Sequence, residues 1–363
     1  MATLDKLFRL LNDRDGSDLH IAVGEMPRIR LHGSLEPIAG ATALSAQVVA
    51  DLLRELVNET QWNRYRAEND LDFAYGLEGV ARFRANYFRD HNGMAAVFRI
   101  IPSEVIPIED LNLPPAVEKL AHLSEGLVLV TGPTGSGKST TLAAILDRIN
   151  STYAKHIITI EDPIEFVHKP KKSVITQREV GSHTDSFTAA LHTAVRLDPD
   201  VILVGEMRDL ETIHLAITAA EMGVLVFGTL HTNNAIKTID RIIDSFPGDQ
   251  QGQARTMLAE SLAAVVSQLL MRRIDRPGRV AAIEVLIRTS GIPNIIREGN
   301  ISMLLSVIQG GRKQGMQSMD DGLLALVKSG AISAEEALRR AVDKTVFEQL
   351  SSGDRGQTLE LDT

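Results

Sequence analysis

Nine residues constrain this chain more than any other feature: Gly132-Pro133-Thr134-Gly135-Ser136-Gly137-Lys138-Ser139-Thr140. They fill the pattern G-x-x-x-x-G-K-[ST]. They stand between the apolar run LVLVT and a helix predicted over 139–149. Glycines let a backbone wrap an anion, and successive N–H groups together with the helix N-terminus then face it. The expectation is a phosphate cradle, in which Lys138 reaches the β- and γ-phosphates and the Ser139 hydroxyl ligates Mg²⁺. An ordinary glycine-rich turn is the bland alternative, which the flanking strand and helix disfavour.

A strand–loop–helix unit of this kind needs a parallel sheet around it. Apolar runs at Gly126–Thr131, 156–160, Val201–Val204 and 224–228 alternate with helical stretches. Continuous apolar strands between helices predict a mainly parallel sheet covered on both faces. From about Gly248 onward the chain reads as mostly helical, with one strand near Arg279–Ile287. Within that part, 291–298 reads as a short helix with Ser290 as N-cap and Pro293 in the first turn, where a missing N–H costs little. Ile292, Ile295 and Ile296 give it an apolar stripe, and Gly299 stops it.

The first hundred residues read differently. The N-terminus spaces Leu4, Leu7, Phe8 and Leu11 helically and carries Asp5, so it is an amphipathic helix and not a signal peptide. Arg28–Leu31 is a strand with a turn at His32-Gly33, and 45–57 is a helix with Ser45 as N-cap. Strand 80–88 puts Arg82, Arg84 and Asn86 on one face and Phe83, Ala85 and Tyr87 on the other. Asn92-Gly93 turns it into Gly93–Ile101, with Phe98 and Ile100 inward and Arg99 outward. This is an α+β domain over 1–101. Pro102, Pro107, Pro114 and Pro115 mark a linker at 102–114. The second domain covers 115–350, and 351–363 is a polar tail expected to be mobile.

Composition closes off other classes. A chain of 363 residues suggests about two domains. With 44% hydrophobic and 23% charged residues it is neither disordered nor fibrous. Lys+Arg of 38 against Asp+Glu of 47, a net −9, argues against a dedicated nucleic-acid binder; 169–172 (KPKK) is a small patch. There is no cysteine and no H-x-H or H-E-x-x-H spacing, so no disulfide, thiol chemistry or zinc is expected. The longest apolar stretches, 257–271 and 213–230, are interrupted by Glu260 and by His214 and Glu221. Neither offers the ~20 clean residues of a span. The expectation is a protein kept inside the cell, with any membrane role peripheral.

Three further boxes follow core strands. Strand Val201–Val204 ends in Gly205-Glu206, the Walker B logic of an acid beside Mg²⁺ and water, with Gly205 where an Asp usually stands. Alone, such an acid is usually a solvated turn residue; downstream of a P-loop the functional reading is the better one. Glu161, Asp162 and Glu165 crowd within five residues, either simply hydrated or supplying a general base and a magnesium contact. Finally, Gly228-Thr-Leu-His231-Thr-Asn places a histidine at a strand end. A lone histidine is more often structural; here it would sense the γ-phosphate at the carboxyl edge of the sheet.

Together, 132–140, Glu-Asp-Pro-Ile-Glu at 161–165, Val-Gly-Glu-Met-Arg-Asp at 204–209 and Gly-Thr-Leu-His-Thr at 228–232 resemble the four boxes of the type II/IV secretion ATPases, and most closely the type IV pilus retraction motors among them. Segments 16–20, 28–35, 237–244 and 315–320 support the resemblance, which covers nearly the whole chain. It implies a homohexamer of subunits with a PAS-like N-terminal domain and a RecA-like P-loop ATPase domain carrying a helical C-terminal part, with ATP and Mg²⁺ between them. Carried over by residue, Glu165 is the general base, Glu206 the Walker B acid, His231 the second His-box histidine, and Arg84 and Arg99 a pair of arginine fingers. The implied setting is the cytoplasmic side of the inner membrane, with a platform protein and sister pilus ATPases as partners. Two departures stand out: Val224 replaces the first His-box histidine, and Gly291 and Pro293 replace an Ala and an Arg of a motif tied to retraction. The rival readings are an assembly or secretion ATPase, a nucleic-acid translocase and a non-catalytic regulator of a sister motor.

Overall fold

The computed structural model describes residues 3–31, 34–101 and 105–351. The turn at His32-Gly33, the start of the linker and the tail from 352 lie outside the described residues. The chain forms two compact units. One holds residues 1–105 with 163–167 and 179–183, and the other holds 106–162, 168–178 and 184–363. Two short segments that follow the linker in sequence therefore pack with the first unit.

The first unit opens with α1 (Thr3–Asp13) and a strand trio, β1 (Asp18–Ala22), β2 (Arg28–Leu31) and β3 (Ser34–Pro37). Helices α2 (Ala46–Arg54) and α3 (Glu59–Glu68) follow, then β4 (Asp70–Leu77), β5 (Ala81–Asp90) and β6 (Gly93–Ile101). The six strands form one sheet in the order β3-β2-β1-β6-β5-β4, every neighbouring pair antiparallel. Helix α1 buries Leu4, Phe8 and Leu11 on it, and Phe8 stacks on Phe83 at 4.2 Å and meets Phe98 edge-on at 5.0 Å. The alternation of β5 is as expected, with Phe83, Ala85 and Tyr87 buried. Ser45 caps α2, accepting the Val48 N–H, but the helix ends at Arg54 rather than 57, because Asn58 opens α3 with a capping box.

In the second unit, α4 (Pro115–Lys119) leads into β7 (Gly126–Thr131), α5 (Lys138–Thr152), β8 (His156–Glu161) and β9 (Val174–Glu179). Next come α6 (Phe187–Ala194), β10 (Val201–Val204), α7 (Leu210–Glu221), β11 (Leu225–Leu230), α8 (Ala235–Asp244) and α9 (Gln251–Ser261). The sheet order is β13-β12-β7-β11-β10-β8-β9, where β12 is Leu262–Arg272 and β13 is Arg279–Ile287. Strands β12, β7, β11, β10 and β8 run parallel and β13 is antiparallel. β7, β10 and β11 are buried along their whole length, as a sheet covered on both faces requires.

Strand β12 corrects the helical reading of the stretch after Gly248. It follows α9 without a connecting residue, and most of its residues are buried on both faces of the sheet, so no exposed–buried alternation marks it. β9, an edge strand, is a second element without a sequence signal. Beyond the sheet lie α10 (Ile292–Glu298), α11 (Leu304–Gly310), α12 (Met319–Lys328), α13 (Ala334–Arg340) and α14 (Thr345–Ser351). Helix α10 forms as expected and Gly299 ends it in the left-handed region, but Gly291 rather than Ser290 is its N-cap. Pro293 is buried together with Ile292 and Ile296, so its position is a packing site and not the surface charge site expected from the motif. No helix among the described residues is long and apolar enough to cross a membrane.

Candidate active site

Four loops leave the carboxyl edge of the second sheet side by side. β7 runs into the P-loop, β8 into Glu161-Asp162, β10 into Gly205-Glu206 and β11 into His231. Strand register brings them level, with Thr131 opposite Leu230 and Val204 opposite both Gly228 and Ile160. Ligands bind at this edge in open α/β sheets.

The P-loop is seated on β12. Gly132 (φ +145°) has its back to the Gln268 carbonyl oxygen, which a Cβ would strike, and a Cβ on Gly137 (φ +90°) would lie 2.8 Å from the Gln268 amide nitrogen. A side chain at Gly132 would strike fixed backbone, whereas at Gly137 it is the left-handed backbone that favours glycine, since the Gln268 side chain can move aside. Gly137 is also the N-cap of α5 and offers no capping side chain, so the first N–H groups of that helix remain for an anion. Lys138 Nζ donates to the carbonyls of Gly132 at 2.7 Å and Pro133 at 3.2 Å. Ser136 Oγ is buried without a hydrogen-bond partner, and Ser139 and Thr140 are half-buried in the first turn of α5. Pro133, Thr134 and Gly135 form the exposed tip. Glycine backbone, helix N-terminus, cation and orphaned hydroxyl together fit a phosphate chain.

Glu206 is held from two sides. Its Oε1 accepts from Arg208 Nε at 2.6 Å and lies 2.9 Å from His231 Nε2. Burial pushes the carboxyl up, but the Arg208 hydrogen bond and charge, with those of His231, more than offset it and leave it below the ordinary carboxylate value. The acid is thus charged at neutral pH and aimed by a histidine whose role was open in the sequence. At Gly205, where an Asp is usual, a Cβ would fit tightly, 3.0 Å from the Ile160 carbonyl oxygen and 3.2 Å from Glu161 Cα. Its N–H donates to that carbonyl at 2.7 Å, drawing the β8 and β10 loops together.

The acidic stretch is divided. Glu161 accepts from Thr159 Oγ1 at 2.6 Å and Gln177 Nε2 at 3.2 Å, and Asp162 follows at the surface; both belong to the second unit. Glu165 is exposed within 163–167, in the first unit. Arg84 and Arg99, also in the first unit, face each other as register partners across β5 and β6. Arg84 lies 3.6 Å from Asp72, and Arg99 Nε donates to the buried Asp18 at 2.8 Å. Val224 precedes β11 at the amino edge of the sheet, while His231 follows it. By strand rise the two are roughly 20 Å apart, so the missing histidine takes nothing from the Glu206 cluster. In the 169–172 patch, the Lys171 ammonium pairs with Asp147 at 2.7 Å, Lys172 Nζ donates to the Thr152 carbonyl at 3.3 Å, and Asn150 holds the Lys171 backbone N–H and the Lys169 carbonyl.

Sequence reading missed Arg208, to which it gave no role, and the β12 pair Ser267-Gln268. Ser267 Oγ is 2.8 Å from Thr131 Oγ1, and Gln268 Oε1 accepts from Thr141 Oγ1 at 3.0 Å. From Thr131 the hydroxyl contacts continue to Thr238 at 3.5 Å and on to Thr232 at 2.7 Å, linking the end of β7 to the His-box loop. The available signal was the polar pair itself, inside the otherwise apolar run 262–271.

The family described as type II/IV secretion system protein matches residues 2–297. A twitching motility protein of Neisseria gonorrhoeae is 53% identical over 87% of this chain and 84% of its own length. The type IV pilus retraction ATPase PilT of Pseudomonas aeruginosa is 50% identical over 90% of this chain and 94% of its own. The crystal structure of the pilus retraction motor PilT with bound ADP superposes with a TM-score of 0.89 at 43% identity, covering 96% of this chain and 99% of that one. A mixed α/β chain with this P-loop edge and these relatives belongs to the type II/IV secretion system protein family, among its PilT-type ATPases.

Proposed function

We propose that this chain is the hexameric ATPase motor that powers type IV pilus retraction, working at the cytoplasmic face of the inner membrane against a pilus platform protein and alongside sister pilus ATPases. The observation that carries the reading is the convergence of the P-loop, Glu161, Glu206 and His231 on one sheet edge, in a chain matched over most of its length by retraction motors. In this reading residues 1–101 are a PAS-like domain, 102–114 a linker, 115–350 a RecA-like ATPase domain with a helical C-terminal part, and 351–363 a tail.

The Gly132–Thr140 backbone and Lys138 hold the triphosphate of ATP. Ser139 and Glu206 would hold Mg²⁺, which would neutralise charge on the phosphates. Arg208 and His231 keep Glu206 ionised and oriented. Glu165 takes the proton from the attacking water, while Arg84 and Arg99 stabilise charge on the transferred phosphoryl group. Lys138→Ala removes the cation from the cradle and is expected to lower turnover by about 10²–10³-fold; wild-type phosphate release by that variant would refute the site. In cells, deletion is expected to give hyperpiliated, non-twitching bacteria, whereas bald cells would identify an assembly ATPase instead.

A further inference from the structure

We propose that Arg82 and Glu179 form a clamp that positions Glu165, fixing this acid to the first compact unit rather than to the unit that carries the P-loop. The inference rests on the reading of Glu165 as general base. Glu179 is 3% exposed, and both of its carboxylate oxygens are used. Oε2 accepts from Arg82 Nη2 at 2.6 Å and from the Ile164 N–H at 3.1 Å, and Oε1 accepts from Ser182 Oγ at 2.9 Å. Its own N–H donates to His183 Nδ1 at 3.0 Å. A single buried carboxylate therefore joins strand β5 to the peptide immediately before Glu165.

The packing of that peptide fixes which way the acid faces. Ile164 and Phe166 are buried, and Glu165 between them is exposed. Arg82 lies two residues from Arg84 on the same face of β5, so the clamp and one of the proposed fingers share one strand. The proposed base and fingers thus belong to the same compact unit. A buried carboxylate is costly unless paired and hydrogen-bonded, so losing Arg82 removes the partner that holds Glu179 in place and loosens its hold on the Ile164 N–H.

The test uses the full-length protein with Arg82→Ala, Glu179→Gln and Glu165→Gln, alone and combined. Displacing a reacting group by about 1 Å costs on the order of 10²-fold. Arg82→Ala is therefore expected to lower kcat by about that factor, with affinity for a fluorescent ADP analogue held within about twofold, the signature of an interaction made in the transition state. Hydrogen exchange at the Ile164 amide should accelerate while peptides covering 132–140 keep their protection. In long single-turnover incubations, adding Arg82→Ala to Glu165→Gln should slow the residual rate no further. Glu179→Gln preserves volume and gives the same pattern should Arg82→Ala fail to fold. Full turnover in both clamp variants, unchanged exchange at Ile164, or a loss that multiplies with that of Glu165→Gln overturns the clamp. Full turnover in Glu165→Gln alone overturns the general-base reading instead, and the clamp with it.

Discussion

Like charges opposed across an antiparallel ladder repel, and Arg84 and Arg99 are such a pair. The fold offsets this with carboxylates on the neighbouring strands, Asp72 on β4 and Asp18 on β1. Asp18 is the stronger anchor. It is buried, accepts from Ser17 Oγ at 2.7 Å and Arg99 Nε at 2.8 Å, and has Arg30 at 3.6 Å. Burial raises its carboxyl, but the Ser17 and Arg99 hydrogen bonds outweigh that and leave it below the ordinary value. A depressed acid contributes stability above its unfolded pKa and loses it as pH falls through the folded one. Asp18→Asn should therefore cost about 1–3 kcal/mol at pH 7, and the gap to wild type should close below about pH 4. Urea midpoints of both proteins at pH 7 and pH 3 check this; an unchanged gap at pH 3 would place the effect elsewhere than in the ion pairs.

At the scale of elements, β12 explains how a loop of glycines stays in one place. The strand supplies a backbone carbonyl behind Gly132, and its Gln268 side chain sets Nε2 beside Gly137 and accepts from the Thr141 hydroxyl near the start of α5. Gln268→Leu keeps the volume but strands that hydroxyl, at a cost of about 1–3 kcal/mol. It is expected to weaken ADP binding more than Ser→Ala changes on exposed helices do, read by titration with a fluorescent analogue. Helix α10 carries the second expectation. Because Pro293 is buried, Pro293→Arg overfills a packed site and should lower stability by about 1–3 kcal/mol. Thermal melting decides this, and a melting temperature equal to wild type would show the arginine escaping to solvent.

Over the whole molecule, one buried acid links parts that are far apart in sequence. Glu284 on β13 accepts the Ala235 N–H at 2.7 Å and is also bonded by the Met319 backbone, so it stands at the starts of both α8 and α12. Helix α8 follows the His-box loop, and α12 opens the C-terminal helices. Burial pushes the Glu284 carboxyl up, only partly countered by those two N–H groups. A raised acid favours the folded state while protonated, and that contribution is lost as pH rises from the unfolded pKa through the folded one. Glu284→Gln retains an acceptor and cannot ionise, so its stability relative to wild type should grow from pH 4 to pH 8. Parallel denaturation curves at both pH values test it, and a constant difference would remove Glu284 from the pH response.

Much of this was present in the residues. The P-loop, the boxes ending β8, β10 and β11, the arginine face of β5 and the β5–β6 hairpin, whose turn falls at His91-Asn92 and not Asn92-Gly93, are local patterns, each set by backbone geometry within a few residues. What escaped was set by distant partners. β12 pairs on one side with β13, which follows it directly, but on the other with β7, which lies far upstream in sequence. The pairing of Glu206 with His231 depends on two loops meeting at a sheet edge, and the burial of Pro293 on what α10 packs against. Glu179 gave no local sign of its partners Arg82 and Ile164. Period and motif report on near neighbours; the desolvation and charge pairing that tune a site come from groups that only folding brings within reach.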